Sequence, residues 1–163
     1  QLPSNVSLYT KVYDNVVENN NGENFGKPGT AVALAPSGTG ILLLAADEVE
    51  IYNNTIRGNK SGGLAVFNLT IGFDVNEIDV GPNPEHVYAR DNIYENNGYD
   101  ADPFVKKILG RGFDIIWDTN GADNYFDEEV SSSFPPFLPK TSWPQPLYNL
   151  YWRFFNFLVG LVG

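Results

Sequence analysis

Three stretches of the chain align without gaps: Lys11-Val12-Tyr13-Asp14-Asn15-Val16-Val17-Glu18-Asn19-Asn20, Glu50-Ile51-Tyr52-Asn53-Asn54-Thr55-Ile56-Arg57-Gly58-Asn59, and Tyr88-Ala89-Arg90-Asp91-Asn92-Ile93-Tyr94-Glu95-Asn96-Asn97. In each, a short β-prone run meets an Asp/Asn-Asn step and then resumes. A shorter echo stands at Asp123-Asn124-Tyr125-Phe126. A second unit, glycine followed by an apolar strand, recurs as Gly40-Ile41-Leu42-Leu43-Leu44, Gly63-Leu64-Ala65-Val66-Phe67 and Gly112-Phe113-Asp114-Ile115-Ile116-Trp117. The first two of these glycines are 23 residues apart. Coils of roughly 20–25 residues built from short strands and tight turns are what a β-solenoid requires.

The chain holds 19 Asn and 16 Gly, and the repeats give that excess a use. Asparagine tolerates the left-handed conformation of a sharp corner, and its amide can bond the backbone. Amides stacked on successive coils also form ladders. A β-sandwich with ordinary hairpins is the competing architecture, but it would not repeat both units in one alternation. The repeat is interrupted at residues 21–39, 68–86 and 98–111, which are rich in glycine, proline or aspartate. These read as loops projecting from the coils, the usual place for insertions and for binding.

The motifs together resemble those of right-handed parallel β-helix repeat proteins, in particular a bacterial exported family with a parallel β-helix domain. The resemblance rests on Asn24-Phe25-Gly26, Pro36-Ser37-Gly38-Thr39-Gly40, Asp114-Ile115-Ile116-Trp117-Asp118 and Phe134-Pro135-Pro136-Phe137-Leu138-Pro139. It covers about residues 1–139 and implies an all-β fold, a short right-handed parallel β-helix with projecting loops. It also implies an exported protein, on the periplasmic or extracellular side. Members of that family are usually longer on the N-terminal side. The absence of methionine, even at position 1, agrees with a chain that is processed or part of a longer protein. The wider superfamily includes pectate lyases and mannuronan epimerases, so the resemblance also admits a polysaccharide-binding or polysaccharide-modifying role.

Composition narrows the chemistry. There is no cysteine, which excludes disulfides, thiolate metal sites and cysteine catalysis. The formal net charge is −10, so nucleic acid is not an expected partner. The single histidine, His86, sits in a proline-rich insertion and reads as a surface residue. Carboxylates group at Asp47/Glu48, Asp100/Asp102 and Asp127/Glu128/Glu129. Asp100-Ala101-Asp102 beside Asn96 and Asn97 offers oxygen ligands of the kind Ca²⁺ takes, yet without EF-hand spacing, so no cofactor is expected. A lyase-like site would need a base among Arg57, Arg90 and Arg111, which stand at different places in the repeat. Tyr13, Tyr52, Tyr94 and Tyr99 can stack on sugars or, more simply, across coils. The four Asn-x-Ser/Thr sequons, at Asn5, Asn53, Asn59 and Asn68, fall where an Asn-rich chain places them by chance.

The end of the chain is a different material. Residues 1–139 carry 8 basic and 20 acidic residues, whereas residues 140–163 carry only Lys140 and Arg153. Residues 140–146 form a proline-punctuated linker, expected to be extended. From residue 147 to 163 the spacing predicts an amphipathic helix, with Asn149, Arg153 and Asn156 on one side. Leu147, Leu150, Tyr151, Phe154, Leu158 and Leu161 take the other, with Trp152 and Phe157 flanking. Such a helix can cap the coils, lie in a membrane interface or dock on a partner. It is too short and polar for a comfortable span. The favoured expectation is a non-catalytic scaffold or accessory subunit, held to a membrane or membrane-protein complex by Trp143, Leu147, Leu150, Tyr151, Trp152, Phe154, Phe155, Phe157, Leu158 and Leu161.

Overall fold

The computed structural model describes residues 7–154 apart from residues 75, 77–79, 145 and 152. The elements are β1 (Ser7–Leu8), β2 (Lys11–Tyr13), β3 (Val16–Glu18), α1 (Ala31–Leu34), β4 (Thr39–Leu44), β5 (Ala46–Asp47), β6 (Val49–Tyr52), β7 (Thr55–Arg57) and β8 (Gly62–Phe67). After a 3-10 turn at Leu69–Ile71 come β9 (Val87–Arg90), β10 (Ile93–Glu95), α2 (Pro103–Leu109), β11 (Phe113–Trp117), β12 (Tyr125–Asp127) and β13 (Ser133–Phe134). The protein is β-rich and its sheets are parallel. Their orders are β12-β9-β6-β2, β10-β7-β3, β13-β11-β8-β4 and β1-β5.

The register makes tiers of the aligned repeats. Lys11 lies beside Glu50, Glu50 beside Tyr88, and Tyr88 beside Tyr125. Val16 lies beside Thr55, and Thr55 beside Ile93. A first tier of β2, β3 and β4 therefore lies beside a second of β6, β7 and β8. A third, β9, β10 and β11, follows, then β12 and β13.

The corners between strands fall in columns of left-handed residues. One column is Asp14, Asn53 and Asp91, at φ 55°, 55° and 56°, and another is Asn19, Gly58 and Asn96, at 53°, 65° and 52°. These residue types enter that conformation at little cost. A third column is Tyr9, Glu48, His86 and Asp123, at φ 56°, 54°, 55° and 53°. Tyr and Glu carry no such preference, so this corner has no signature in the sequence at Tyr9 and Glu48; His86 and Asp123 are of types enriched in that conformation.

Beside the corners run two amide ladders. The backbone N–H and Nδ2 of Asn15 both donate to Asn54 Oδ1 at 3.1 Å, and those of Asn54 to Asn92 Oδ1 at 2.9 Å. Asn20, Asn59 and Asn97 repeat the pattern at 3.1–3.2 Å. Asn54 and Asn59 are 1% and 0% exposed, so the ladder satisfies groups that burial would otherwise orphan.

Two readings of the repeats are corrected by register. The echo at Asp123-Asn124 does not stand under Asp91-Asn92. Asp123 occupies the third corner column, and Asn124 Oδ1 accepts from Val87 N at 2.9 Å. Gly112 likewise does not continue Gly40 and Gly63. Ile41 pairs with Leu64 and Leu64 with Ile115, which puts Asp114 under Gly63. The glycines at the first two places answer a close approach. A Cβ on Gly40 would stand 2.6 Å from Gly63 O, and one on Gly63 2.6 Å from Asp114 O.

The main core is lined by Ile51, Leu64, Val66, Val87, Ile115, Trp117 and Phe126, each 0% exposed. β8 is buried along its whole length because a second cluster of Ala65, Phe67, Ala101, Val105 and Ile116 covers its other face. The interruption at 98–111, expected as a loop, supplies part of that cover as α2. Asp102 accepts from Phe104 N at 2.9 Å, proline stands in the first turn, and Gly110 closes the helix at φ 77°.

Candidate docking surface and buried carboxylates

After β13 the chain turns back under the last tier. Phe126 N donates to Pro139 O at 2.8 Å, and Thr141 N donates to Asp127 Oδ1 at 3.0 Å. Lys140 Nζ donates to Glu128 O at 3.3 Å. Lys140 and Thr141, in the 140–146 segment expected as an extended linker, thus lie against the end of β12. A helical segment occupies residues 146–151 and is helical again at 153–154. Tyr148 is its anchor: the residue is 5% exposed, and its ring lies 5.5 Å from that of Tyr125. Tyr151 packs against the main core and donates its hydroxyl to Phe137 O, and burial pushes its phenol well above the ordinary value.

The predicted surface residues divide accordingly. Leu147, Leu150 and Phe154 are 44%, 64% and 57% exposed, and Trp143 is half-buried with its ring 5.4 Å from Tyr151. Together with Phe137, 72% exposed, they line an open apolar groove of about 390 Å³. Trp152, Phe155, Phe157, Leu158 and Leu161 lie outside the described residues. Among the described residues no helix is long and apolar enough to cross a membrane. Phe137 and Tyr148 were missed by sequence reasoning. Tyr148 falls off the arc that helical periodicity marks, and only Tyr125 opposite makes its side the docked one.

Inside the same end, both ladders stop on a carboxylate. Glu128 takes the place an asparagine holds above, accepting from the N–H and Nδ2 of Asn92. Asp114 accepts from Asn97 Nδ2 at 3.3 Å, Ser131 Oγ at 2.7 Å and Ser132 N at 3.2 Å. Burial pushes Glu128 up to about 7. The Tyr94 hydroxyl is buried and makes no hydrogen bond among the described residues. Burial first, then the charges of Glu128 and Asp114, raise its pKa well above the ordinary value. Glu128 and Ser131–Ser133 border an open cleft of about 760 Å³ beside Lys140 and Trp143.

The other candidates are dispersed. His86 Nδ1 lies 3.7 Å from Glu48 and its Nε2 3.7 Å from Asp123, on the exposed third corner. Asp47 accepts from Glu85 N at 2.9 Å, and Glu129 is exposed. Arg57 pairs with Glu18 at 2.7 Å, Arg90 with Asp91 at 2.8 Å, and Arg111 stands 4.8 Å over Phe113. The three arginines therefore do not converge. Asp100 pairs with Lys106 at 2.7 Å and Asp102 caps α2. Among the described residues no group of three His, Asp or Glu is arranged to hold a metal ion. Tyr13 and Tyr52 stack across tiers at 5.1 Å and 3°, with the Arg90 guanidinium 4.5 Å over Tyr52. Tyr99 is exposed and accepts from Asn21 Nδ2 at 3.3 Å. Comparison with protein-family models, curated proteins and solved structures finds no match for this chain.

Proposed function

We propose that the tiers are coils of a short right-handed parallel β-helix that serves as a non-catalytic scaffold or accessory subunit. It works on the periplasmic or extracellular side, held to a membrane or membrane-protein complex by its C-terminal groove. The observation that carries this reading is the apolar surface of Phe137, Trp143, Leu147, Leu150 and Phe154, gathered at one end of a protein of net charge −10. Exposed apolar groups gathered in one patch mark an attachment site more often than a free surface. Lys140 and Arg153, the two charged residues from 140 onward, are both basic, which suits the phosphate level of a bilayer. Parallel register, corner columns and ladders support the β-helix reading.

Truncation after Pro139 would also remove Tyr148, so substitution tests the idea more cleanly. The combined variant Leu147→Glu, Leu150→Glu, Phe154→Glu leaves Tyr148 and Tyr151 on the body. Wild type is expected in the membrane fraction of its source cells, and the variant in the soluble fraction with an unchanged Tm. Equal partition of the two proteins rejects the attachment reading.

A second reading, polysaccharide binding, is supported by the outer face of β2-β6-β9-β12. There Tyr13, Tyr52 and Arg90 form a stacked aromatic and cationic strip. Titration with uronate oligosaccharides in Ca²⁺ would show binding that Tyr52→Ala removes; no binding by wild type eliminates this reading.

A further inference from the structure

The three interruptions of the repeat leave the stack at different tiers, yet they meet over one pocket of about 190 Å³. Residues 21–39 contribute Asn24, Ala33 and Ala35 to it, residues 68–86 contribute Ile71, and residues 98–111 contribute Asp102 and Phe104. Its floor is Leu42 and Leu44 of β4 with Phe67 of β8, on the sheet face turned away from the main core. That face is covered differently one tier on. Ala65 is 1% exposed in a cluster with Val105 of α2, whereas Leu42, its neighbour in register, is only half-buried. The cover is closed over Ala65 and leaves a space over Leu42 and Leu44.

The lining specifies what fits, because its hydrogen-bonding groups are nearly all spent. Asn24 Nδ2 donates to Val32 O at 2.8 Å and to Ala35 O at 2.6 Å, and its Oδ1 accepts from Gly26 N. The N–H groups of Ala33, Ala35, Ile71, Asp102 and Phe104 all have acceptors already. One carboxylate oxygen is left over. Asp102 Oδ1 takes the Phe104 N–H at 2.9 Å, and Oδ2 accepts nothing among the described residues. Lys106, one turn along α2, pairs with Asp100 instead. A stretch of main chain would bring a C=O with each residue, for which these wall residues hold no donor. An anionic ligand meets the same lack of donors and the Asp102 charge besides. We infer that the pocket binds a small amine: one ring, resting on Leu42, Leu44 and Phe67, with an ammonium on a short arm paired to Asp102 Oδ2. The volume sets the size, since an apolar cavity of about 150 Å³ takes benzene and drug-sized ligands need about 300 Å³ or more. Asp102 sets the sign, as the one charged side chain among the described lining residues. The inference does not rest on the attachment reading, and the pocket shares no residue with the groove.

Benzylamine is the probe, with benzyl alcohol and benzoate as its neutral and anionic counterparts. Each is titrated into isotope-labelled full chain at neutral pH while amide resonances are followed. Benzylamine should shift Leu42, Leu44, Ile71 and Phe104 and reach saturation. Benzyl alcohol should bind about tenfold more weakly, the difference that a charge-assisted hydrogen bond makes at a half-buried site, and benzoate should not bind. Asp102→Asn keeps an N-cap of equal quality for α2, so Tm should hold. In that variant benzylamine should fall to the affinity of benzyl alcohol, whose own affinity stays the same. Absence of saturable shifts with benzylamine overturns the inference, and so do shifts confined to residues away from the pocket. Equal binding of benzylamine and benzyl alcohol by wild type would reduce the pocket to an apolar void and overturn the amine assignment. Tighter binding of N-acetylphenylalanine amide, a ring with main chain attached, would assign the pocket to a protein side chain and overturn it as well.

Discussion

At the N-terminal end of the stack, Val12 is half-buried and the Oδ1 atoms of Asn15 and Asn20 face outward. At the C-terminal end, the same column and the same ladders finish on Phe126, 0% exposed, and on the carboxylates of Glu128 and Asp114. The interior pattern is shared, and only the finishing differs. A repeat layer buries its apolar face against neighbours, so each end must be covered or remain a template. One end is covered by Leu138, Pro139, Thr141, Tyr148 and Tyr151 of the same chain, and the outer surface there is the apolar groove. At the other, among the described residues, β2, β3 and β4 each end their sheet.

The sharpest way to break this contrast is within one column. Val12, Ile51, Ala89 and Phe126 lie side by side across the four tiers. Phe126→Ala removes a ring packed 5.5 Å from Trp117 and beneath the C-terminal cover. We expect a loss of about 3–5 kcal/mol in denaturant unfolding. Val12→Ala, on the open face, should cost about 1 kcal/mol, because its methyl groups are only partly withdrawn from water. Comparable losses at the two sites would show that the open end is covered in solution.

The ladders give the next contrast. Asn54→Ala orphans the Asn15 N–H above, takes one of the two donors from Asn92 Oδ1 below, and removes the Nδ2 donor to Val12 O and Tyr52 O. Leaving buried groups unpaired should cost about 1–3 kcal/mol. Asn15→Ala, at an exposed residue, should cost less than Asn54→Ala. Hydrogen exchange sharpens the prediction: Asn54→Ala should expose amides in both neighbouring tiers, and Asn15→Ala those of the first alone.

The parts legible in the sequence are those whose physics is local. Asp/Asn-Asn marks a corner because those side chains tolerate positive φ and cap their own turn, so the two Asx columns stand where the repeats placed them. The third column is illegible at Tyr9 and Glu48, whose types do not favour positive φ, so no shared residue type links them to His86 and Asp123. Asp114 under Gly63 is illegible for a related reason. Spacing from Gly112 pointed elsewhere, and register along β11 is fixed by pairing with β8 and β13, not by a motif. At the candidate site, periodicity marked Leu147, Leu150 and Phe154 as apolar. It could not show which side of the helix the body would claim, and Tyr148 took that place. Glu128 stands in a run of three acidic residues, and only the end of the Asn92 ladder distinguishes it from Asp127 and Glu129.

That carboxylate supplies the smallest expected effect and the most specific one. Glu128 rises from an ordinary value of 4.5 to about 7, chiefly through burial. Between those values the folded protein binds the extra proton, so stability falls as pH rises through the window and levels off above it. The Asn92 N–H donates to Glu128 Oε2 and its Nδ2 to Oε1, so Glu128→Gln keeps both bonds only if its single oxygen turns to accept the two donors, as the Oδ1 of Asn54 and of Asn92 does in the tiers above. It removes the buried charge. The carboxyl borders an open cleft, which tempers the gain to about 1 kcal/mol at pH 8, or roughly 2–4 °C in Tm. The advantage should shrink to nothing near pH 4, where the native carboxyl is already neutral. A variant that stabilises equally at both pH values would mean that packing, not the proton, sets the cost. A variant that destabilises at both would mean that the C-terminal end depends on a carboxylate where the tiers above depend on amides.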